Sequence, residues 1–203
     1  MFRDNLCLLA SSLIVFPAGW AGAAEPVKAG TLYFPNKVGD KLVYESTTSE
    51  VRSERTAEVT AVEVKEGVAL VTTRNSGAVG EWEETSQQHE VSGRGVFVVR
   101  SGKKPVDPPN CLLRLPPKVG DAWERQLPGG SSAKFEYSVI GEEEIEVPAG
   151  KFHTVRVDST ITIDDSVART STWFAVDRGP VKYVLKTSGQ EFNVVLKSFT
   201  PGK

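Results

Sequence analysis

From His153 to Ile163 the chain alternates. Odd positions His153, Val155, Val157, Ser159, Ile161 and Ile163 are mostly apolar, and even positions Thr154, Arg156, Asp158, Thr160 and Thr162 are all polar. A sustained period of two predicts a long strand with one packed and one wet face. In that phase His153 falls on the packed face, as a partly buried, hydrogen-bonded residue. Phe135, Tyr137 and Val139 repeat the pattern, as do Val181, Tyr183 and Leu185, then Phe192, Val194 and Leu196. Between Ala57 and Val64 the apolar phase slips from odd to even positions, which predicts a β-bulge and a bend. Lys65-Glu66-Gly67, Val147-Pro148-Ala149-Gly150 and Asp164-Asp165-Ser166 separate these runs. They are turn sequences, because proline presets φ and glycine accepts the positive φ that follows. No segment past residue 25 keeps a helical period. One-sided alternation with short turns predicts an all-β protein, a curved antiparallel sheet or half-open β-barrel.

The sheet has an internal echo. Pro35-Asn36-Lys37-Val38-Gly39-Asp40 returns as Pro116-Pro117-Lys118-Val119-Gly120-Asp121, 81 residues on. Arg94-Gly95 before Val96-Phe97-Val98-Val99 returns as Arg178-Gly179 before Pro180-Val181-Lys182-Tyr183, 84 residues on. Two matches in the same order predict two similar β-meander halves, about 33–104 and 114–200, within one domain spanning 25–203. Pro105, Pro108, Pro109, Pro116 and Pro117 concentrate between them, so 105–117 is expected to be a stiff crossover rather than a strand. Each half alone would be marginal in size, so the two are expected to share one core. The K-V-G-D motif itself reads as a tight lead into a strand: glycine permits unusual φ, and aspartate can bond its own backbone.

Residues 1–24 have the composition of a cleaved signal peptide. Arg3 precedes an apolar run from Leu6 to Phe16, and small residues close the segment at Ala21 and Ala23. The run is shorter than the ~20 residues a membrane span needs. The chain is therefore expected to be exported, periplasmic or secreted, and not an integral membrane protein. Cys7 lies in the apolar run and lacks the small residues that precede an acylated cysteine. Cys111 is then the single cysteine of the mature chain, excluding an intramolecular disulfide and favouring a buried thiol. The net charge of −2 comes with no dense Lys/Arg block, which argues against nucleic acid and against a polybasic membrane segment.

Several short motifs in order resemble an exported bacterial family, the domain-of-unknown-function 3108-like group, some members of which carry the label TapB. Phe34 to Asp40 followed by Tyr44 is similar to its opening, and Leu115 to Trp123 to its central motif. Ile145-Glu146-Val147-Pro148-Ala149-Gly150-Lys151-Phe152 is similar to its hairpin, and Trp173-Phe174-Ala175 through Gly179-Pro180-Val181-Lys182 to its closing segment. Asp177-Arg178 and Pro180 depart from a stretch that is more often glycine-rich, and Leu42 replaces a frequent tryptophan. The resemblance covers about 33–199. It implies a half-open barrel in an envelope protein, and no catalytic residues.

Recognisable catalytic chemistry is sparse. His89 and His153 are the only histidines, too few and too scattered with one cysteine for a zinc site. No G-x-S-x-G elbow, phosphate loop or dinucleotide fingerprint occurs. Glu142, Glu143, Glu144 and Glu146 alternate across a strand, so they do not face one another over a cleft as paired glycosidase carboxylates must. A metal site on Asp40 and Asp121 would need more clustered oxygens. No cofactor is implied. The expected function is a non-catalytic exported binding or scaffold domain for a lipid-like apolar molecule or an envelope protein partner, with Trp82, Trp123 and Trp173 as contact residues. The alternative is a small hydrolase-type enzyme with an unrecognised site. Lipid binding requires an under-filled concave face; partner binding requires a solid core and an exposed edge or patch.

Overall fold

A computed structural model describes residues 32–48, 51–77, 85–127 and 132–203. Residues 1–24, expected to be a signal peptide, and Trp82 lie outside the described residues. Twelve strands follow in order: β1 (Lys41–Thr47), β2 (Arg52–Lys65), β3 (Val68–Gly77), β4 (Thr85–Ser92), β5 (Gly95–Ser101), β6 (Lys104–Arg114), β7 (Ala122–Gln126), β8 (Lys134–Val147), β9 (Gly150–Ile163), β10 (Ser166–Ala175), β11 (Gly179–Lys186) and β12 (Glu191–Thr200). They form one sheet in the order β6-β5-β4-β3-β2-β1-β12-β11-β10-β9-β8-β7, every ladder antiparallel. The sheet curls until its edges, β6 and β7, meet through side chains, giving a nearly closed barrel.

Local chemistry accounts for the hairpins. Glu66 and Gly67 take φ of 52° and 78° at the β2–β3 turn, and Asp164 takes 50° at the β9–β10 turn. The phase slip in β2 is a real irregularity: its register against β3 shifts between Val59 and Ala61. β8 shifts in the same way against β9, between Val139 and Gly141. Such an extra residue bends a strand and raises its twist, which helps the sheet to close.

Two apolar clusters fill the fold. The first gathers Val59, Val71, Val91, Val96, Leu113 and Val155, all fully buried, with Phe34, Trp123, Val139, Val157 and Phe174. The second joins Leu42, Tyr44, Val181, Val194 and Leu196 with Trp173, Ala175 and Val147. Alternation along β10 divides them: Phe174 belongs to the first cluster, Trp173 and Ala175 to the second. The tip of the long β8–β9 hairpin folds onto β12, where the Ala149 N–H donates to the Leu196 carbonyl at 3.1 Å.

Three expectations are corrected. The proline-rich segment 105–117 is not simply a crossover, because Lys104–Arg114 is strand β6. Its prolines are tolerated because β6 is an edge strand, needing ladder donors on one side only, and because its register against β5 slips near them, between Val98 and Arg100. His153 is not partly buried. Its side chain is 64% exposed and its Nε2 lies 3.1 Å from Glu142 Oε2. The first cluster ends at Val155, and His153 lies on the hairpin arm beyond it. Thr154, expected on the wet face, is instead fully buried and donates from Oγ1 to the Glu143 carbonyl at 2.8 Å.

Candidate binding site at the β6–β7 junction

The two K-V-G-D segments have the same backbone geometry. Gly39 N–H donates to the Val59 carbonyl at 2.8 Å, Asp40 N–H to Lys37 O at 3.0 Å, and Val59 N–H to Asp40 O at 2.9 Å. In the second segment Gly120 donates to Val139 O at 2.9 Å, Asp121 to Lys118 O at 3.0 Å, and Val139 to Asp121 O at 2.9 Å. Gly39 and Gly120 take φ of 89° and 87°, a conformation that favours glycine. Each motif locks the strand that follows it onto the bulged residue of the next strand.

The carboxylates differ. Asp40 is buried and accepts three N–H groups: Asn36 at 3.2 Å and Lys37 at 2.9 Å on one oxygen, and Gly202 at 2.8 Å on the other. The tail Pro201-Gly202-Lys203 thus lies across the first motif. A Cβ on Gly202 would run into the Val38 carbonyl, so this contact is specific for glycine. At the second motif Pro117 stands where Asn36 does, and proline has no N–H to give. Among the described residues no hydrogen bond reaches the Asp121 carboxylate, and no chain segment lies over Gly120, whose Cβ would meet nothing within 4 Å.

Asp121 opens into a depression of about 470 Å³ beside the β6–β7 junction. Phe97, Leu115 and Pro116 give it apolar walls, and Arg94, Arg114 and Lys118 give it positive charge. Arg94 is already paired with Glu90, Nη2 to Oε1 at 2.6 Å. Arg114 stacks over Trp123, 5.1 Å from the ring centroid. Lys118 has no ion pair among the described residues. Val119 at the tip of the motif is 74% exposed.

The junction beneath is closed by side chains. Trp123 Nε1 on β7 donates to the Cys111 carbonyl on β6 at 3.0 Å, and Arg125 Nε to the Pro108 carbonyl at 2.9 Å. Tyr137 Oη donates to Asn110 Oδ1 at 2.8 Å, and its ring stacks on Trp123 at 5.4 Å and 6°. β6 therefore spends two edge carbonyls on side chains, which protects an edge that would otherwise invite strand addition. The Cys111 thiol packs here, and burial pushes its pKa up to about 11, which suits a packing role and not a nucleophile.

Of the three tryptophans expected to make contacts, Trp82 lies outside the described residues. Trp123 and Trp173 are 7% and 8% exposed and sit in different clusters, so the fold does not bring them together. Trp173 Nε1 donates to Glu143 Oε1 at 2.7 Å, and Arg156 and Lys182 stand 5.2 and 4.8 Å from its ring. His89 is the other unusual group: it is buried against the Phe34 ring at 4.3 Å, its Nδ1 has no partner among the described residues, and burial lowers its pKa to about 4. Sequence reasoning missed the open state of Asp121. The signal was there in the change from Asn36 to Pro117, read as loss of a donor.

Among the described residues no cluster of His, Cys, Asp and Glu is arranged to hold a metal, and no helix is long and apolar enough to cross a membrane. No family model matches the chain, and no curated protein is significantly similar to it. The resemblance to the 3108-like group therefore rests on the short motifs alone. Solved structures share the fold. A candidate lipoprotein from Parabacteroides distasonis aligns with a TM-score of 0.55 at 13% identity, over 85% of this chain and all of the other. A candidate exported protein with a YmcC-like fold from Bacteroides fragilis aligns with a TM-score of 0.56, also at 13% identity, over 84% of this chain and 99% of the other.

Proposed function

We propose that this chain is an exported, non-catalytic binding protein of the cell envelope, and that it binds a protein partner rather than a lipid. The observation that carries this reading is the filled interior. Val59, Val71, Val91, Val96, Leu113 and Val155 have no exposed surface, so side chains occupy the part of the interior that these described residues line, where an acyl chain would have to lie. The surface at the Asp121 depression is instead mixed, with a carboxylate, cations and an exposed valine, the composition of a protein-binding rim. The sequence features of residues 1–24 support export, and the order of the motifs supports kinship with the 3108-like envelope family.

Native mass spectrometry of the mature chain, purified from its own envelope without detergent, tests the choice. The expected spectrum holds the bare protein or a protein complex. A lipid-sized mass released on denaturation would overturn the reading.

A further inference from the structure

We infer that the Asp121 notch is a receptor for an extended, glycine-containing peptide segment of a partner, with an acidic residue next to the glycine. The inference rests on the protein-binding reading above and names the chemistry of the partner. Its warrant is that the molecule already contains an occupied copy of the same notch.

At Asp40 the occupant is Pro201-Gly202-Lys203. The Gly202 N–H bonds the carboxylate, and its missing side chain lets the peptide lie flat on the Val38 carbonyl. Asp121 sits in a backbone frame with the same three hydrogen bonds and the same glycine conformation. Among the described residues none of the three donors that satisfy Asp40 has a bonded counterpart there: the Lys118 N–H, which matches that of Lys37, makes no bond to the Asp121 carboxylate, and the other two donors are missing. Pro117 cannot supply the one from Asn36, and the segment leaving β6 supplies none in the place of Gly202, because it turns directly into the motif through Pro116 and Pro117. A peptide that crosses the notch supplies the missing N–H. Open space above Gly120 admits it, and Val119 and Pro116 offer apolar contact.

Charge selects the flanking residue. The depression holds Lys118 and Arg114 beyond Asp121, with Arg94 already engaged by Glu90. A basic neighbour to the glycine, like Lys203 in the tail, would meet two cations. An acidic neighbour pairs with them, which fixes the direction of the peptide as well as its position.

The test uses two synthetic probes, acetyl-Phe-Thr-Pro-Gly-Glu-amide and acetyl-Phe-Thr-Pro-Gly-Lys-amide, titrated into the isotope-labelled mature chain and followed by amide chemical shifts. The expected result is saturable shifts centred on Lys118, Gly120 and Asp121. The Glu probe should bind at least about fivefold more tightly than the Lys probe. Asp121→Asn should weaken the Glu probe about tenfold, the usual size for a hydrogen bond to a charged acceptor. Shifts centred on Gly39, Asp40 and Gly202 would mean displacement of the tail and would overturn the inference. So would unchanged affinity in the Asp121→Asn protein, or no binding of either probe at millimolar concentration. A protein partner that co-purifies equally with native and Asp121→Asn chains would sink the notch while leaving the binding reading intact.

Discussion

The first and last strands of this barrel join by a full ladder; its two middle edges do not. β1 pairs with β12 over seven residue pairs, from Lys41 with Thr200 to Thr47 with Asn193, and the tail beyond β12 seals the Asp40 carboxylate. β6 and β7 occupy the corresponding place at the other junction, yet they meet through Trp123, Arg125 and Tyr137 side chains, and Asp121 is left open. Part of the difference is explained by proline. Pro105, Pro108 and Pro109 remove donors from β6, and Pro117 removes one from the second motif. A near-identical motif can thus serve structure at one junction and present a free acceptor at the other.

The sharpest break in that comparison comes from removing each carboxylate in turn. Asp40→Ala leaves three N–H groups without an acceptor in a buried site. At about 1–3 kcal/mol for each orphaned group, partly relieved by water, the loss should be on the order of 4 kcal/mol. Asp121→Ala removes no hydrogen bond and should change stability by less than about 0.5 kcal/mol. Urea unfolding of both variants checks the contrast. Equal losses would mean that the two motifs do the same structural work.

Acid should act on the lead-in to the first motif. Phe34 packs against His89, whose pKa is lowered to about 4 from an ordinary value of 6.5 by burial alone. The unfolded state binds the proton more readily than the folded state. The stabilisation is therefore complete above about pH 6.5 and declines as pH falls, levelling off below about 4. The full loss is on the order of 3 kcal/mol. Other groups also titrate in this range, so the readout is the difference between the native protein and His89→Phe. The stability of the native protein relative to His89→Phe should fall by about 3 kcal/mol from pH 7 to pH 4, and a constant difference would show that His89 does not gate the change.

Much of this fold was legible in the sequence, and the misses have physical causes. Strict alternation gave β9, the slip at 57–64 gave the β2 bulge, and the Lys65-Glu66-Gly67, Val147-Pro148-Ala149-Gly150 and Asp164-Asp165-Ser166 sequences gave the turns. The proline cluster points to a crossover because proline breaks a central strand, whereas an edge strand with slipped register accepts it. His153 misled because periodicity tells which face a residue takes, not how far along a strand the cover extends. The notch at Asp121 was half legible. The repeated motif announced it, but only Gly202 of the tail, 81 residues beyond Asp121, revealed what an occupied notch looks like.

A smaller effect should follow Gly202→Ala. The added Cβ meets the Val38 carbonyl and the Asp40 N–H, so the tail must lift and Asp40 loses one of its three donors. Water can replace that donor at the barrel end, which limits the cost to about 1–2 kcal/mol. Asp40 then resembles Asp121, an open carboxylate beside a glycine. Amide hydrogen exchange should speed up at Asp40 and along the start of β1, and leave β7 unchanged. Faster exchange in β7 as well would show that the two junctions are coupled.

The smallest change in stability belongs to the reverse edit, Pro117→Asn, which gives the second motif the residue of the first. The new N–H can reach the Asp121 carboxylate as Asn36 reaches Asp40. A charge-assisted bond at a half-exposed site gains about 0.5–1 kcal/mol, and loss of proline costs a similar amount through the freer unfolded chain. Stability should therefore stay within about 0.5 kcal/mol of the native protein. The amide of residue 117 should nonetheless exchange slowly, because it is bonded, and an acidic glycine peptide should bind more weakly, because its acceptor is now shared. A fast-exchanging amide at 117 would mean that the second motif holds its carboxylate away from its own backbone, and that the likeness between the motifs stops at the main chain.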